Sequence, residues 1–229
     1  MADVLVTVAH PDDETLGCGA TLARLTSRGH RVQVLVVADG ERGRPEATDA
    51  SVAERQAAAR AAAVVLGTQP PRFLDLPDQA LETLPRLEIT RAIEALAEDF
   101  APDVVLTHDG NDLNLDHRVV HDATVTAFRP LAGRPWATLC TFETPSASEY
   151  GALAHGSAFN PNLFVDVTDH FDAKLEAMAC YRGEQRPAPH PRHPDSLTAL
   201  ATVRGAACGL ARAEGFNVVF ARGPVVLTD

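Results

Sequence analysis

Residues 4–14 of the chain read VLVTVAHPDDE, and this stretch contains the pattern that decides the fold. Residues 4–9 are mostly apolar and have the length of a strand buried on both faces. A polar segment, residues 10–14, follows without a break. Residues 15–28 then carry apolar side chains at helical spacing until Gly29 ends the pattern. The stretch therefore predicts a strand, a charged turn and a helix in immediate succession.

The same succession is repeated along the first half of the chain. Apolar runs predict strands at residues 4–9, 32–38, 72–76 and 104–107, and helical periodicity predicts helices at residues 15–28, 51–66, 87–100 and 116–128. Strands that alternate with helices are typical of a parallel sheet covered by helices on both faces. We therefore predict a Rossmann-like, doubly wound α/β fold with a mostly parallel sheet.

The second half of the chain is less regular. Its patterns predict strands at residues 138–142, 162–167 and 213–220, helices at residues 171–181 and 197–211, and a loop rich in proline and histidine at residues 186–194. Trp136, the one tryptophan of the sequence, is interpreted as a core residue. Because neither a repeat nor a linker divides the chain, residues 1–229 are predicted to form a single domain.

Composition and charge argue against several classes of protein. The 229 residues include 20 Lys and Arg against 31 Asp and Glu, a formal net charge of −11, which disfavours nucleic-acid binding. No apolar stretch reaches the roughly 20 residues that span a bilayer, so we expect no integral membrane association. The N-terminal residues lack a signal-peptide pattern and the four cysteines form no C-x-x-C pair, which predicts a cytoplasmic protein with reduced thiols. Assembly into a homo-oligomer stays open.

The polar turn after the first predicted strand concentrates charged side chains. His10 offers an imidazole, and Asp12, Asp13 and Glu14 offer three consecutive carboxylates. Like charges in a tight turn are unfavourable unless a cation or a helix N-terminus offsets them. The segment by itself is compatible with helix capping and with metal binding.

A second polar segment follows the fourth predicted strand. His117 and His121 are four positions apart and share one face of the predicted helix, where they either bind one metal together or divide into one ligand and one packed neighbour. Loops at the carboxyl ends of neighbouring strands meet at the switch point of a doubly wound sheet. His10, one aspartate and His117 would then converge as a set that suits Zn²⁺ and leaves a position for water, with the second aspartate as its base.

The segments AHPDDE (residues 9–14) and LDHRVVH (residues 115–121) resemble the motifs of the PIG-L (LmbE-like) zinc-dependent N-deacetylases, which remove acetyl or related acyl groups from amino sugars and their conjugates. The resemblance extends over most of the chain. It implies Zn²⁺ as the cofactor, although Fe²⁺ or another divalent ion fits the same donors. The substrate that it implies is a small N-acetylated sugar of the N-acetylglucosamine type or a conjugate of one.

The resemblance also assigns residues to the metal and to the chemistry. His10, Asp13 and His117 match the metal ligands of the family. Asp12 matches the general base, and Glu14 closes the motif behind these side chains.

Further residues are assigned to the substrate and to the oxyanion. Arg55 and Asp78 match positions that contact the sugar. Many members have a histidine where this chain has Asn114, so the resemblance leaves stabilisation of the oxyanion to the Asn114 amide or, in part, to His108.

The loop at residues 186–194 and the loop before His117 supply additional candidates. Arg192 is predicted to touch the substrate at the rim of the pocket, whereas His190 and His193 either line that rim or hold a second metal. Asp116 is predicted to cap a helix or to orient a neighbouring histidine.

Other chemistries lack their motifs or depart from the pattern. No G-x-G-x-x-G follows the first strand, as a dinucleotide-dependent dehydrogenase requires, and no G-x-S-x-G of a serine hydrolase is present. Two alternatives stay open. One is a metal-containing sugar-binding relative without turnover, which Asn114 favours and Asp12 disfavours. The other is an amidase that acts on a non-sugar acyl amide.

Overall fold

A seven-stranded sheet forms the centre of the computed structural model, which describes residues 1–133, 137–223 and 225–228. Its order is β3-β2-β1-β4-β5-β7-β6. Strands β1 to β5 pair in parallel, whereas β7 pairs antiparallel with β5 and β6. The mostly parallel sheet that the sequence predicts is thereby confirmed. The strands are β1 (Asp3–Val8), β2 (Arg31–Ala38), β3 (Arg72–Leu76), β4 (Val104–His108), β5 (Thr138–Phe142), β6 (Leu163–Asp166) and β7 (Ala213–Ala221).

Seven α-helices accompany the sheet within the described ranges. Short 3-10 helices lie at Leu81–Thr83, Arg182–Glu184 and Val226–Thr228. None of these helices is both long enough and apolar enough to cross a membrane. The α-helices are α1 (Asp13–Ser27), α2 (Asp49–Leu66), α3 (Arg86–Phe100), α4 (Leu115–Ala127), α5 (Ser148–His155), α6 (Phe171–Cys180) and α7 (Pro194–Ala206).

One hydrophobic core lies on each face of the sheet. Successive side chains of a strand point to opposite faces. Accordingly, Val4, Val6 and Val8 of β1 pack in the core with α1, α2 and α6, whereas Leu5 packs in the core with α3 and α4. Helices therefore cover both faces, and the doubly wound architecture is confirmed.

Two helices differ from the prediction. Helix α5 was not predicted. A Cβ at Gly151 would come within 1.9 Å of the Asn111 carbonyl oxygen, so this position has to be a glycine. The glycine interrupts the apolar pattern by which a helix is recognised in a sequence. Helix α7 begins at Pro194 rather than at residue 197, since the His193 side chain accepts a hydrogen bond from the Asp195 N–H and caps the helix. It ends at Ala206, before Gly209 turns the chain at a positive φ. Trp136 lies outside the described residues.

Candidate metal centre

The switch point of the sheet lies between β1 and β4, and it brings the two polar segments together. The turn after β1 carries His10 and Asp13. The loop after β4 leads into α4, whose first turn carries His117. Both segments leave the carboxyl ends of adjacent parallel strands, so their side chains face the same edge of the sheet.

Three potential ligand atoms converge at this edge. His10 Nδ1, Asp13 Oδ2 and His117 Nε2 each lie 3.3 Å from the other two. When a tetrahedral metal makes bonds of about 2.0–2.1 Å, its ligand atoms are about 3.3–3.4 Å apart. All three side chains are buried. Two imidazoles and one carboxylate at this spacing fit a tetrahedral divalent metal and leave one position for water.

Three carboxylates contact the two imidazoles on the ring nitrogens that face away from the convergence point. Asp112 Oδ2 lies 3.2 Å from His117 Nδ1, the ring nitrogen that faces away from the convergence point. Asp116 Oδ2 and Asp78 Oδ1 lie 3.0 and 3.1 Å from His10 Nε2. A carboxylate on the outer nitrogen fixes the tautomer of a ligating histidine and raises its basicity. The histidine that Asp116 contacts is His10, and the role of Asp116 as an orienting residue stays a prediction.

Charge is concentrated in this buried cluster. Burial alone would lower the pKa of His117, but the charge of Asp13 and the Asp112 carboxylate close to Nδ1 raise it to about 9. Burial would likewise raise the pKa of Asp13, but the neighbouring His117, His108 and His10 hold it well below its usual range. The carboxylate is thus an anion that attracts cations, and a divalent metal would replace protons at the imidazoles.

Asp12 lies beside the convergence point in a strained backbone conformation. Its φ of 116° and ψ of −23° are rare for a residue with a side chain, and such strain is concentrated at functional sites. Asp12 Oδ2 contacts Arg192 Nη1 at 2.9 Å and Arg55 Nη2 at 3.2 Å. Burial raises the pKa of Asp12 against the opposing charges of these two arginines. A buried carboxyl group with a raised pKa suits a group that accepts and returns a proton.

An open pocket of about 160 Å³ adjoins His10 and Asp12. The three side chains predicted to touch the substrate, Arg55, Asp78 and Arg192, all line it. The structure thus brings these three side chains together at one pocket, and their contact with a substrate stays a prediction. The pocket is lined by His10, Asp12, Gly40, Gly43, Arg44, Arg55, Asp78, Gln79, Asn114, Glu184 and Arg192.

The two candidates for oxyanion stabilisation are placed differently. Asn114 caps α4: its Oδ1 accepts a hydrogen bond from the Asp116 N–H at 2.9 Å, and the residue lines the pocket. His108 is fully buried; its Nε2 accepts from the Ala9 N–H at 2.9 Å and its Nδ1 lies 3.1 Å from Thr144 Oγ1. Since both ring nitrogens of His108 are engaged within the protein, the geometry favours Asn114 and not His108.

The remaining histidines do not join the convergence point. His121 Nδ1 lies 2.8 Å from the His108 carbonyl oxygen, a contact typical of a packed neighbour. His190 Nδ1 accepts a hydrogen bond from the Arg192 N–H at 3.1 Å, and His193 caps α7. Among the described residues, neither His190 nor His193 takes part in a group of potential ligands. Glu14 accepts hydrogen bonds from Tyr181 Oη at 2.6 Å and from the Asp12 N–H at 3.1 Å, which fits its expected place behind the site.

Glu184 belongs to the pocket but was missed by the sequence analysis. It lies in the 3-10 helix Arg182–Glu184, and its carboxylate binds the guanidinium groups of Arg44, Arg55 and Arg192. Two of these partners precede it by more than 120 positions, and no local spacing indicates such contacts. Only its position beside the loop at residues 186–194 gave a signal.

Three similarities to known proteins agree on the family. The family model for PIG-L, described as GlcNAc-PI de-N-acetylase, matches residues 5–128. The chain is 30% identical over 182 residues to the uncharacterized deacetylase YaiS of Escherichia coli strain K12. This alignment covers 76% of this chain and 88% of that protein. It is 28% identical over 241 residues to 1D-myo-inositol 2-acetamido-2-deoxy-alpha-D-glucopyranoside deacetylase of Rhodococcus jostii strain RHA1, with 81% and 82% of the two chains covered.

Solved structures extend the similarity to nearly the whole chain. N,N'-diacetylchitobiose deacetylase of Pyrococcus horikoshii superimposes with a TM-score of 0.77 at 22% identity, covering 95% of this chain and 84% of that one. GalB of Pseudomonas putida KT2440, a 4-carboxy-2-hydroxymuconate hydratase, superimposes with a TM-score of 0.79 at 25% identity over 98% and 99% of the two chains. The fold thus carries more than one reaction. The family match over residues 5–128 and the identity to the E. coli protein show that this chain belongs to the PIG-L family of de-N-acetylases.

Proposed function

We propose that the chain is a metal-dependent hydrolase that removes the N-acetyl group from an N-acetylglucosamine-type amino sugar or sugar conjugate. The observation that carries the proposal is the equal 3.3 Å spacing of His10 Nδ1, Asp13 Oδ2 and His117 Nε2 beside Asp12. Relatives named as deacetylases of an N-acetylated glucosamine conjugate support the substrate class. Zn²⁺ is the metal that the donor set favours, and Fe²⁺ fits the same three atoms.

His10, Asp13 and His117 would hold the metal. A divalent metal in this set supplies Lewis acidity, which acidifies a water molecule and polarises the amide carbonyl. Asp12 takes a proton from the attacking water as the water oxygen bonds to the carbonyl carbon. When the C–N bond breaks, Asp12 returns that proton to the departing nitrogen, and acetate and the free amine leave.

Side chains around the pocket position the substrate and its developing charge. The Asn114 amide donates to the oxyanion, a contribution typically of about 3–4 kcal/mol for one such donor. Arg55, Asp78 and Arg192 supply hydrogen-bond donors and acceptors to sugar hydroxyl groups. The scattered cysteines favour a cytoplasmic location, and assembly into a homo-oligomer stays open.

The proposal is tested by acetate release from a panel of N-acetylated amino sugars, with protein whose metal content is known. We expect release that a chelator abolishes and added Zn²⁺ restores.

The 25% identity to a hydratase over nearly the full length of both chains supports one competing reaction, the addition of water to an unsaturated acid. Hydration of such an acid without acetate release would overturn the deacetylase proposal. Release from simple acyl amides but from no sugar would favour the non-sugar amidase. Metal and sugar binding without release would favour a binding protein.

A further inference from the structure

The Glu184 carboxylate lies within 2.7 Å of three guanidinium groups from three segments of the chain, and a fourth, that of Arg186, lies 3.7 Å away. Its Oε1 lies 2.6 Å from Arg55 Nη1 and 2.7 Å from Arg44 Nη2, and its Oε2 lies 2.7 Å from Arg192 Nη1. The side chain is only 3% exposed. Burial alone would raise the pKa of Glu184, but the charge of Arg55, the hydrogen bond from Arg44 and the charge of Arg192 lower it. A buried carboxylate with both oxygens bound to cations is a fixed structural anion.

Two of these guanidinium groups also contact the base of the proposed reaction. Arg55 binds Glu184 through Nη1 and Asp12 Oδ2 through Nη2. Arg192 binds Glu184 Oε2 and Asp12 Oδ2 through the same Nη1 atom. Both contacts are made with Oδ2 of Asp12, so they fix which of its oxygens turns towards the arginines.

The two arginines differ in how far they depend on Glu184. Arg192 has another anchor, because its Nε donates to Ser146 Oγ at 2.7 Å. Arg55 Nε is buried and has no hydrogen-bond partner among the described residues, and its guanidinium lies 5.7 Å from the centre of the Tyr181 ring. Arg55 Nε also lies 3.9 Å from Glu41 Oε1, a much longer contact than the 2.6 Å to Glu184, so Glu184 is the main anchor that holds Arg55 in place against Asp12.

We propose that Glu184 is a positioning residue, which orients Asp12 through Arg55 and, to a smaller extent, through Arg192. This inference rests on the proposed deacetylation. Glu184 does not exchange a proton or touch the reacting atoms. Its charge keeps the guanidinium groups where they hold Asp12 Oδ2, and a base displaced by even 1 Å can lose about 100-fold in rate.

The first test is Glu184→Gln, which keeps the size of the side chain and removes its charge. We expect kcat for acetate release to fall by about 10- to 100-fold, the usual cost of losing an outer orienting group. Metal content should stay at the wild-type level, because the metal ligands are untouched. KM should rise by less than kcat falls: Arg55 and Arg192 also line the substrate pocket, but their larger effect is on the position of Asp12. Glu184→Asp, which retains the carboxylate, should recover most of the lost kcat.

A matched control separates positioning from the general loss of an ion pair. Glu143 forms two 2.7 Å bonds with Arg204 but contacts neither Asp12 nor a proposed ligand. Glu143→Gln should leave kcat unchanged. An equal loss of kcat in the Glu143 and Glu184 variants would contradict the inference.

A double-mutant cycle identifies the path from Glu184 to the base. In an Arg55→Ala background, Glu184→Gln should lower kcat by less than about 3-fold, because the contact through which it acts is already lost. The corresponding cycle with Arg192→Ala should show weaker coupling. Independent, multiplicative losses from Glu184→Gln and Arg55→Ala would overturn the inference.

A wild-type protein without acetate release would overturn the proposed function and this inference with it, whereas an active wild type with a fully active Glu184→Gln variant would overturn only the inference.

Discussion

His10 Nδ1 lies 3.3 Å from His117 Nε2, although 107 positions separate the two residues. Strands β1 and β4 bring them together: Val4 pairs with Val104 and Thr7 with Thr107, so the two strands end at the same level of the sheet. The side chains that follow each strand therefore meet at the switch point. This register, set by burial of both strands, is the physical origin of the candidate metal site.

Metal binding should depend on His117 and not on His121. His117→Ala removes one of three converging ligand atoms, so we expect the purified protein to lose nearly all of its bound metal, measured by elemental analysis. His121→Ala is the matched control, because His121 contacts the His108 carbonyl oxygen instead of the convergence point. Loss of metal in both variants, or in neither, would contradict the assignment of the ligands.

Asp112 should strengthen metal binding without being a ligand. Asp112→Asn weakens the carboxylate contact with His117 Nδ1 and should lower metal affinity by about 10- to 100-fold, as measured by competition with a chelating dye. Asp109→Asn serves as the control, since Asp109 accepts a hydrogen bond from the Asn111 N–H in the same loop. Equal affinities of the Asp112 variant and the wild type would exclude the orienting role.

The fold should depend strongly on the buried ion pair between Lys174 and Glu214. Lys174 Nζ lies 2.6 Å from Glu214 Oε1. The Glu214 carboxylate also accepts hydrogen bonds from the Ala20 and Thr21 N–H groups. These two residues follow Cys18, where helix α1 departs from helical geometry. Glu214→Gln leaves the buried ammonium without its partner and should lower the free energy of unfolding by about 3–5 kcal/mol.

Urea unfolding measures this effect. Replacing Asp99, which pairs with Arg72 and is 71% exposed, should cost no more than about 1 kcal/mol. Similar losses for Glu214→Gln and Asp99→Asn would show that the buried pair contributes no more than an exposed one.

Gly17 should not tolerate a side chain, because α1 lies against β5 at this position. A Cβ at Gly17 would come within 2.2 Å of the Phe142 ring. Gly17→Ala should therefore destabilise the protein by about 1–3 kcal/mol through overpacking. Gly183 has no atom within 4 Å of its Cβ position, so Gly183→Ala should change the free energy of unfolding by less than about 0.5 kcal/mol. A stable Gly17→Ala protein would show that Phe142 has room to move.

Much of the fold follows from local patterns in the sequence. The apolar runs that become β1, β2 and β4 are buried on both faces, which is why they could be recognised as central strands. The antiparallel direction of β7 could not be predicted in this way, because it depends on pairing with β5 and β6 at long range. Helix α5 escaped prediction because its packing requires a glycine where helical periodicity would place a larger residue.

The candidate site was predictable to the extent that its residues cluster in the sequence. His10, Asp12 and Asp13 stand in one turn and His117 lies in the first turn of one helix, so two short motifs contain the proposed metal ligands and base. The place of Glu184 in the pocket could not be predicted in this way, because its ion pairs with Arg44 and Arg55 join it to residues far earlier in the chain. The burial of His108, which makes it a poor candidate for the oxyanion, is likewise a property of tertiary packing.

The central claim is that Asp12 serves as the base beside a metal held by His10, Asp13 and His117. Its most direct test is the rate of acetate release by Asp12→Asn protein whose metal content equals that of the wild type. The amide is the same size as the carboxylate but cannot take up the proton of the attacking water, so we predict full metal content with turnover reduced by about 100-fold or more. An Asp12→Asn protein that binds metal and releases acetate at the wild-type rate would contradict the account.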